Sequence, residues 1–200
     1  MERIQAIKEL QQLVGRNLHD LAREYGITVQ TASGTVNKGW AGHVCERYLG
    51  IPINSAQSPN FGSWELKSIP LKILKNGNLQ FKETMAITMI DEYQVIRTPF
   101  EESHLLAKLK KAVCVARIVG DSFSDPTYIH SISTIDLKGE IYEAVRNDYE
   151  SVRTCLKNGY PPLTGSMGYY VQPRTKGTGH GSTSRAFYAR PLFLSKFISL

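Results

Sequence analysis

The chain has 200 residues, 42% of them hydrophobic and 21% charged, a balance that excludes a disordered or fibrous protein and suits one domain with a sizeable core. Its 24 Lys and Arg against 18 Asp and Glu give a net charge of +6 and a pI of about 9.2, which favours a polyanionic partner over an acidic one. Three widely spaced cysteines, Cys45, Cys114 and Cys155, argue against a disulfide framework or a zinc site and read as small buried hydrophobes in a reducing compartment.

The opening Met1-Glu2-Arg3-Ile4-Gln5 has no apolar signal region, and no apolar run is long enough to span a bilayer, so the expected location is cytoplasmic. Ile4, Ile7, Leu10 and Leu13 fall near helical spacing over residues 2–14, and Gly15 supplies a stop. A second helix over 17–25, capped by Asn17, carries Leu18, Leu21 and Ala22 inward and ends at Gly26. The pair resembles a helix-turn-helix reader superficially, but plain packing is the preferred reading. After a Ser/Thr/Gly loop over 31–38, a helix over 39–49 buries Val44, Tyr48 and Leu49.

The stretch Pro59-Asn60-Phe61-Gly62-Ser63-Trp64-Glu65-Leu66-Lys67 leads into a strand over 64–71. Period-two alternation puts Glu65 and Lys67 on one face and Leu66 on the other. An acid beside an amine suits phosphodiester hydrolysis, which needs a hard cation held by oxygens, an activated water and positive charge near phosphorus. For an isolated Glu-x-Lys triplet, an ordinary exposed ion pair is the commoner explanation.

Asn76-Gly77 predicts a hairpin, with Lys72 and Lys75 beside it as generic candidates for phosphate contact or simply solvated lysines. The returning strand, 79–90, is apolar on both faces and reads as central and covered. A helix over 103–111 carries Lys108, Lys110 and Lys111; His104 near its start has no matched partner and receives no role. Strands over 112–119 and 127–137 follow. The longest helix, 138–156, has the apolar stripe Ile141, Val145, Tyr149 and Val152. A Gly/Pro-rich connection over 158–168 leads to Tyr170-Val171-Gln172-Pro173-Arg174-Thr175-Lys176 and the Gly-rich tract 177–184, expected to be a mobile loop between basic strands. Such a loop suits a groove reader, in which Arg forks onto guanine and Lys holds phosphate; the tract has no P-loop pattern. A short apolar helix over 191–200 closes the chain.

Four blocks in order, Lys38 to Gly50, Pro59 to Pro70, Ser103 to Lys110, and Tyr170 to Lys176 with Arg185-Ala186-Phe187-Tyr188, resemble the MutH-like DNA endonucleases. These are the mismatch-repair strand-nicking enzyme and the type II restriction enzymes related to it, in the PD-(D/E)xK superfamily. The resemblance implies an α/β fold, a restriction-endonuclease-like mixed sheet flanked by helices, forming one domain over 1–200 with two lobes around a DNA cleft. It implies Mg2+ held by Asn60, Glu65 and the Leu66 carbonyl, with Lys67 serving the water or phosphate and Glu46 and Lys108 completing the catalytic cluster. It also implies DNA reading by Arg174, Lys176 and Tyr188, with Arg185 and Arg190 as additions. The hairpin section resembles the restriction relatives more than the repair enzyme, which favours a restriction function.

The family places an Asp where this chain has Asn60, and the interval from Asn60 to Glu65 is shorter than in the family. A neutral amide offers an oxygen but no charge, which weakens metal affinity and turnover. Asn60 therefore reads as a natural variant of weakened activity or as an alteration of an active enzyme, the intact neighbouring motif favouring the latter. Three functions follow: a restriction endonuclease cutting double-stranded DNA, acting alone or as a homodimer; a repair nickase needing a MutL-like activator; or a DNA-binding protein without nuclease activity.

Overall fold

The computed structural model describes residues 1–51, 59–159, 162–176 and 184–200. Two sheets organise them. The first has the order β2-β1-β4-β5, built from β1 (Glu65–Ile73), β2 (Leu79–Phe81), β4 (Lys111–Ile118) and β5 (Tyr128–Asp136). β1 and β4 run parallel from Glu65 opposite Ala112 to Leu71 opposite Ile118, whereas β2 and β5 pair antiparallel to their neighbours, so this sheet is mixed. The second sheet, β3 (Met85–Met89), β7 (Arg185–Ala189) and β6 (Val171–Thr175), is antiparallel.

β4 owes its central place to the run from Ala112 to Ala116, which is buried on both faces. Ala112, Cys114 and Ala116 join Ile69 and Leu71 in one core with α5 (His104–Leu109), α6 (Gly139–Asn158) and the second sheet. Val113, Val115 and Leu66 face a second core made by α1 (Arg3–Gln11), α2 (Leu18–Glu24) and α3 (Trp40–Tyr48). The α/β class and the mixed, helix-flanked sheet match the sequence reading. α2 is capped as expected, the Asn17 side chain accepting from the His19 N–H.

Three expectations are corrected. Ile4 is 69% exposed, whereas Leu10 and Leu13 are buried as expected and Ala6, one turn before Leu10 on the same face, takes the place of Ile4. The strand expected over 79–90 breaks at Lys82-Glu83-Thr84: β2 stays in the first sheet, and β3 crosses to the edge of the second, paired only with β7. There only one face is covered: Met85 and Ile87 are buried, whereas Ala86 and Met89 are exposed. Residues 91–102, given no structure in advance, form α4 (Glu92–Arg97) and a 3-10 turn at Phe100–Glu102, with the Asp91 side chain accepting from the Gln94 N–H. The final helix, α7, is limited to Pro191–Leu194. The expected mobile tract over 177–184 lies outside the described residues except for Ser184.

Asp148, buried on α6, fixes the start of β6: its carboxylate accepts from the backbone N–H groups of Tyr169, Tyr170 and Val171 at 2.6, 2.7 and 2.8 Å. One acid thus ties the long helix to the second sheet.

Candidate active site

The site forms where β1 begins. Because β2 pairs only with Leu71–Ile73, the outer edge of β1 before that point has no strand partner among the described residues. On this edge the Trp64 carbonyl accepts from the Phe61 N–H at 3.1 Å, and the Pro70 carbonyl from the Lys82 N–H at 2.9 Å. Strand alternation directs the Leu66 carbonyl, between them in parity, to the same open edge.

Glu65 lies at the centre, its side chain 2% exposed. Its Oε1 accepts from Lys67 Nζ at 2.8 Å and from Lys108 Nζ at 3.4 Å, and its Oε2 accepts from the Asn60 backbone N–H at 3.0 Å. Lys67 shares the face of β1 with Glu65, and Lys108 descends from α5, which packs on that face. Asn60 Nδ2 donates to Glu46 Oε1 at 2.7 Å, drawing in the end of α3 from the opposite layer. The structure therefore brings Glu46, Asn60, Glu65, Lys67 and Lys108 together, with the Leu66 carbonyl at the shared edge.

Electrostatics follow from this crowding. Burial, and then the Glu65 carboxylate, push the Glu46 carboxyl above its ordinary value, while Lys67 and Lys108 oppose that rise. Burial lowers the Lys108 ammonium against the pull of Glu65, and the Lys67 and Lys176 charges lower it further. Glu46 Oε2 is buried without a hydrogen-bond partner among the described residues. The Cys45 and Cys114 thiols are pushed up to about 12 by burial, so both are inert hydrophobes as expected.

Beyond Lys67 the open edge faces the second sheet across a cleft of about 250 Å³, whose walls include Ser68, Pro70, Thr84 and Tyr188. Arg174 stands beside it, donating through Nη1 to Thr84 Oγ1 at 2.8 Å, its guanidinium carbon 5.6 Å from the centre of the Tyr188 ring. Lys176, on the same hairpin side, is near enough to influence Lys108. Arg185 opens β7 opposite Thr175. Arg190 is occupied within the chain, donating through Nη2 to the Gly165 and Met167 carbonyls. Lys72 and Lys75 are exposed at the other end of β1, Lys72 roughly 23 Å along the strand from Glu65.

Thr84 and Arg117 escaped the sequence reading. A polar break, Lys82-Glu83-Thr84, inside a supposed apolar strand was the available signal for the first. A lone Arg in an otherwise buried strand was the signal for the second.

Residues 49–146 match the family described as "DNA mismatch repair enzyme MutH", a span that includes Asn60, Glu65, Lys67 and Lys108. The type II restriction enzyme Sau3AI of Staphylococcus aureus is 26% identical over 159 residues, 76% of this chain and 32% of that protein. The chain is related to the MutH-like endonuclease family. The chain spans about a third of the length of the curated relative it matches. A solved structure, the "Restriction endonuclease MvaI-cognate DNA substrate complex", overlaps 94% of each chain at 12% identity with a TM-score of 0.37. Among the described residues, no three His, Cys, Asp or Glu side chains gather as a metal cluster, and no helix is long and apolar enough to cross a membrane.

Proposed function

We propose that the chain is a Mg2+-dependent endonuclease for a short double-stranded DNA site, of the restriction type, weakened by Asn60. The observation that carries this reading is the buried Glu65 carboxylate held by Lys67 at 2.8 Å on the open edge of β1, beside a cleft flanked by Arg174 and Tyr188. The relationship to the MutH family and to a type II restriction enzyme supports it.

The donors suit a hard cation: Glu65, the Leu66 carbonyl, the Asn60 amide oxygen and the unpartnered Glu46 Oε2 are all oxygens. Bound there, Mg2+ would supply charge neutralisation at the phosphate and a more acidic water. Lys67 orients the water or steadies the phosphate, and Lys108 pairs with Glu65 from α5 at 3.4 Å. Arg174 and Lys176 contact the duplex, with Tyr188 under the Arg174 guanidinium and Arg185 on the adjoining strand. Lys72 and Lys75 reach phosphate only on a longer duplex, and Arg190 instead braces the turn at Gly165–Met167.

A second reading, DNA binding without cleavage, is favoured by two observations: the Asn60 amide nitrogen is spent on Glu46, and among the described residues only two carboxylates meet at the site. Supercoiled plasmid incubated with Mg2+, using this chain and Asn60→Asp, separates the two. Linear product supports restriction and open circles support nicking. No cleavage by either protein overturns the nuclease reading and leaves the binding function.

A further inference from the structure

A cavity of about 300 Å³ lies further along β1 from Glu65, lined by Trp40, Pro70, Lys82, Arg117, Phe123 and others. It touches the cleft only through Pro70 and Glu83, which line both. Glu65 and Pro70 are five residues apart on one strand, roughly 17 Å, so this cavity is separate from the candidate active site.

Arg117 is the unusual group there. Its Nε donates to Ser68 Oγ at 2.9 Å, and its guanidinium carbon lies 5.8 Å from the centre of the Trp40 ring. Among the described residues no carboxylate comes within ion-pair distance of it. Burial lowers its basicity, and Glu83, the acid whose charge opposes that, is exposed. A partly buried cation with no counter-ion is costly unless a ligand supplies the charge. Lys38 and Lys82 add positive charge to the lining, Lys82 Nζ donating to the Gly120 carbonyl at 3.2 Å; Glu83 and Asp121 are the acids that face the space. Phe123 is 54% exposed, an aromatic face in solvent beside a basic pocket.

We propose that this cavity binds one nucleotide unit, its phosphate on Arg117 and Lys82 and its base against Phe123. The volume is at the lower end of small-ligand pockets, about 300–1,000 Å³, and exceeds what a bare phosphate needs. The guanidinium gives a forked donor for phosphate oxygens, and an exposed aromatic ring stacks on any base. The unit belongs to an unpaired DNA strand or to a free mononucleotide, which share this chemistry. The proposal does not require Glu65 and Lys67 to be catalytic.

Calorimetric titration of the full chain with thymidine 5′-monophosphate tests it, with thymidine and inorganic phosphate as separate probes. The nucleotide should bind more tightly than either fragment, and Arg117→Gln and Phe123→Ala should each weaken it by roughly tenfold, the worth of one charge-assisted hydrogen bond for the first and of one base stack for the second. Lys82→Gln and Phe123→Ala alter exposed side chains and carry the test if Arg117→Gln does not fold. Displacement of the nucleotide by a single-stranded oligonucleotide assigns the unit to a DNA strand; lack of displacement assigns it to the free nucleotide. Affinity unchanged in the folded variants, or lost in Lys67→Ala instead, places the phosphate elsewhere and overturns the proposal. Plasmid cleavage by Asn60→Asp reports on the nuclease reading independently.

Discussion

The Asn60 side chain donates to Glu46 Oε1 at 2.7 Å, so a neutral amide bridges the layer of α3 and the edge of β1. The same residue's backbone N–H reaches Glu65, and one short segment thereby links two acids that come from different elements. Asn60 is thus a structural clasp at the candidate site.

Asn60→Asp turns that donor into an acceptor beside two carboxylates. Without a divalent cation the variant should lose on the order of 1–3 kcal/mol of stability at neutral pH, and Mg2+ should restore it. Thermal unfolding with and without Mg2+ checks this. A variant as stable as the parent and indifferent to Mg2+ would show that the three side chains do not share one pocket.

In the Asn60→Asp background, Lys67→Ala should reduce cleavage by roughly 10²–10³-fold while sparing duplex affinity, because it removes the charge aimed at the reacting phosphate. Single-turnover cleavage and a binding titration on one substrate separate the two effects. Retained cleavage removes Lys67 from the mechanism.

Stability should depend on pH through Glu46. Burial and the neighbouring Glu65 raise its folded-state value above the ordinary 4.5, so the folded chain keeps a proton that the unfolded chain releases. This contribution is complete below 4.5 and is lost as pH rises through the folded value. Glu46→Gln keeps an oxygen for Asn60 but cannot ionise, and its melting temperature should decline less over that window. Lys108 acts in the opposite direction in the alkaline range: its lowered value makes stability rise with pH up to about the ordinary 10.5.

Asp148→Ala strands three backbone donors at the start of β6, and denaturant unfolding should register a loss on the order of 3 kcal/mol or more. DNA affinity should fall as well, since β6 carries Arg174. A loss below about 1 kcal/mol would mean that water replaces the carboxylate readily.

Arg174→Ala should cost about 1–3 kcal/mol of discrimination between cognate and unrelated duplexes if the guanidinium forks onto a base edge. Its contacts with Thr84 and Tyr188 hold it ready beside the cleft. Competition binding decides the point: an equal loss on all duplexes makes it a phosphate contact.

What the sequence determined by itself is local. The cap at Asn17, the Asn76-Gly77 hairpin, the shared face of Glu65 and Lys67, the buried run of β4 and the long stripe of α6 each depend on propensity or on a short period, which neighbouring residues dictate. The resemblance added Glu46 and Lys108 as members of a cluster without supplying a reason for their approach. Only the tertiary structure decided that Glu46 comes from one core layer and Lys108 from the other, meeting around the unpaired edge of β1. It also decided that the chain leaves the first sheet at Lys82-Glu83-Thr84, which puts Thr84 beside Arg174, and that Asp148 anchors β6 from across the sequence. These pairings join residues tens of positions apart, and their partners are selected by how two apolar cores close on a shared sheet, a quantity that no short window of sequence contains.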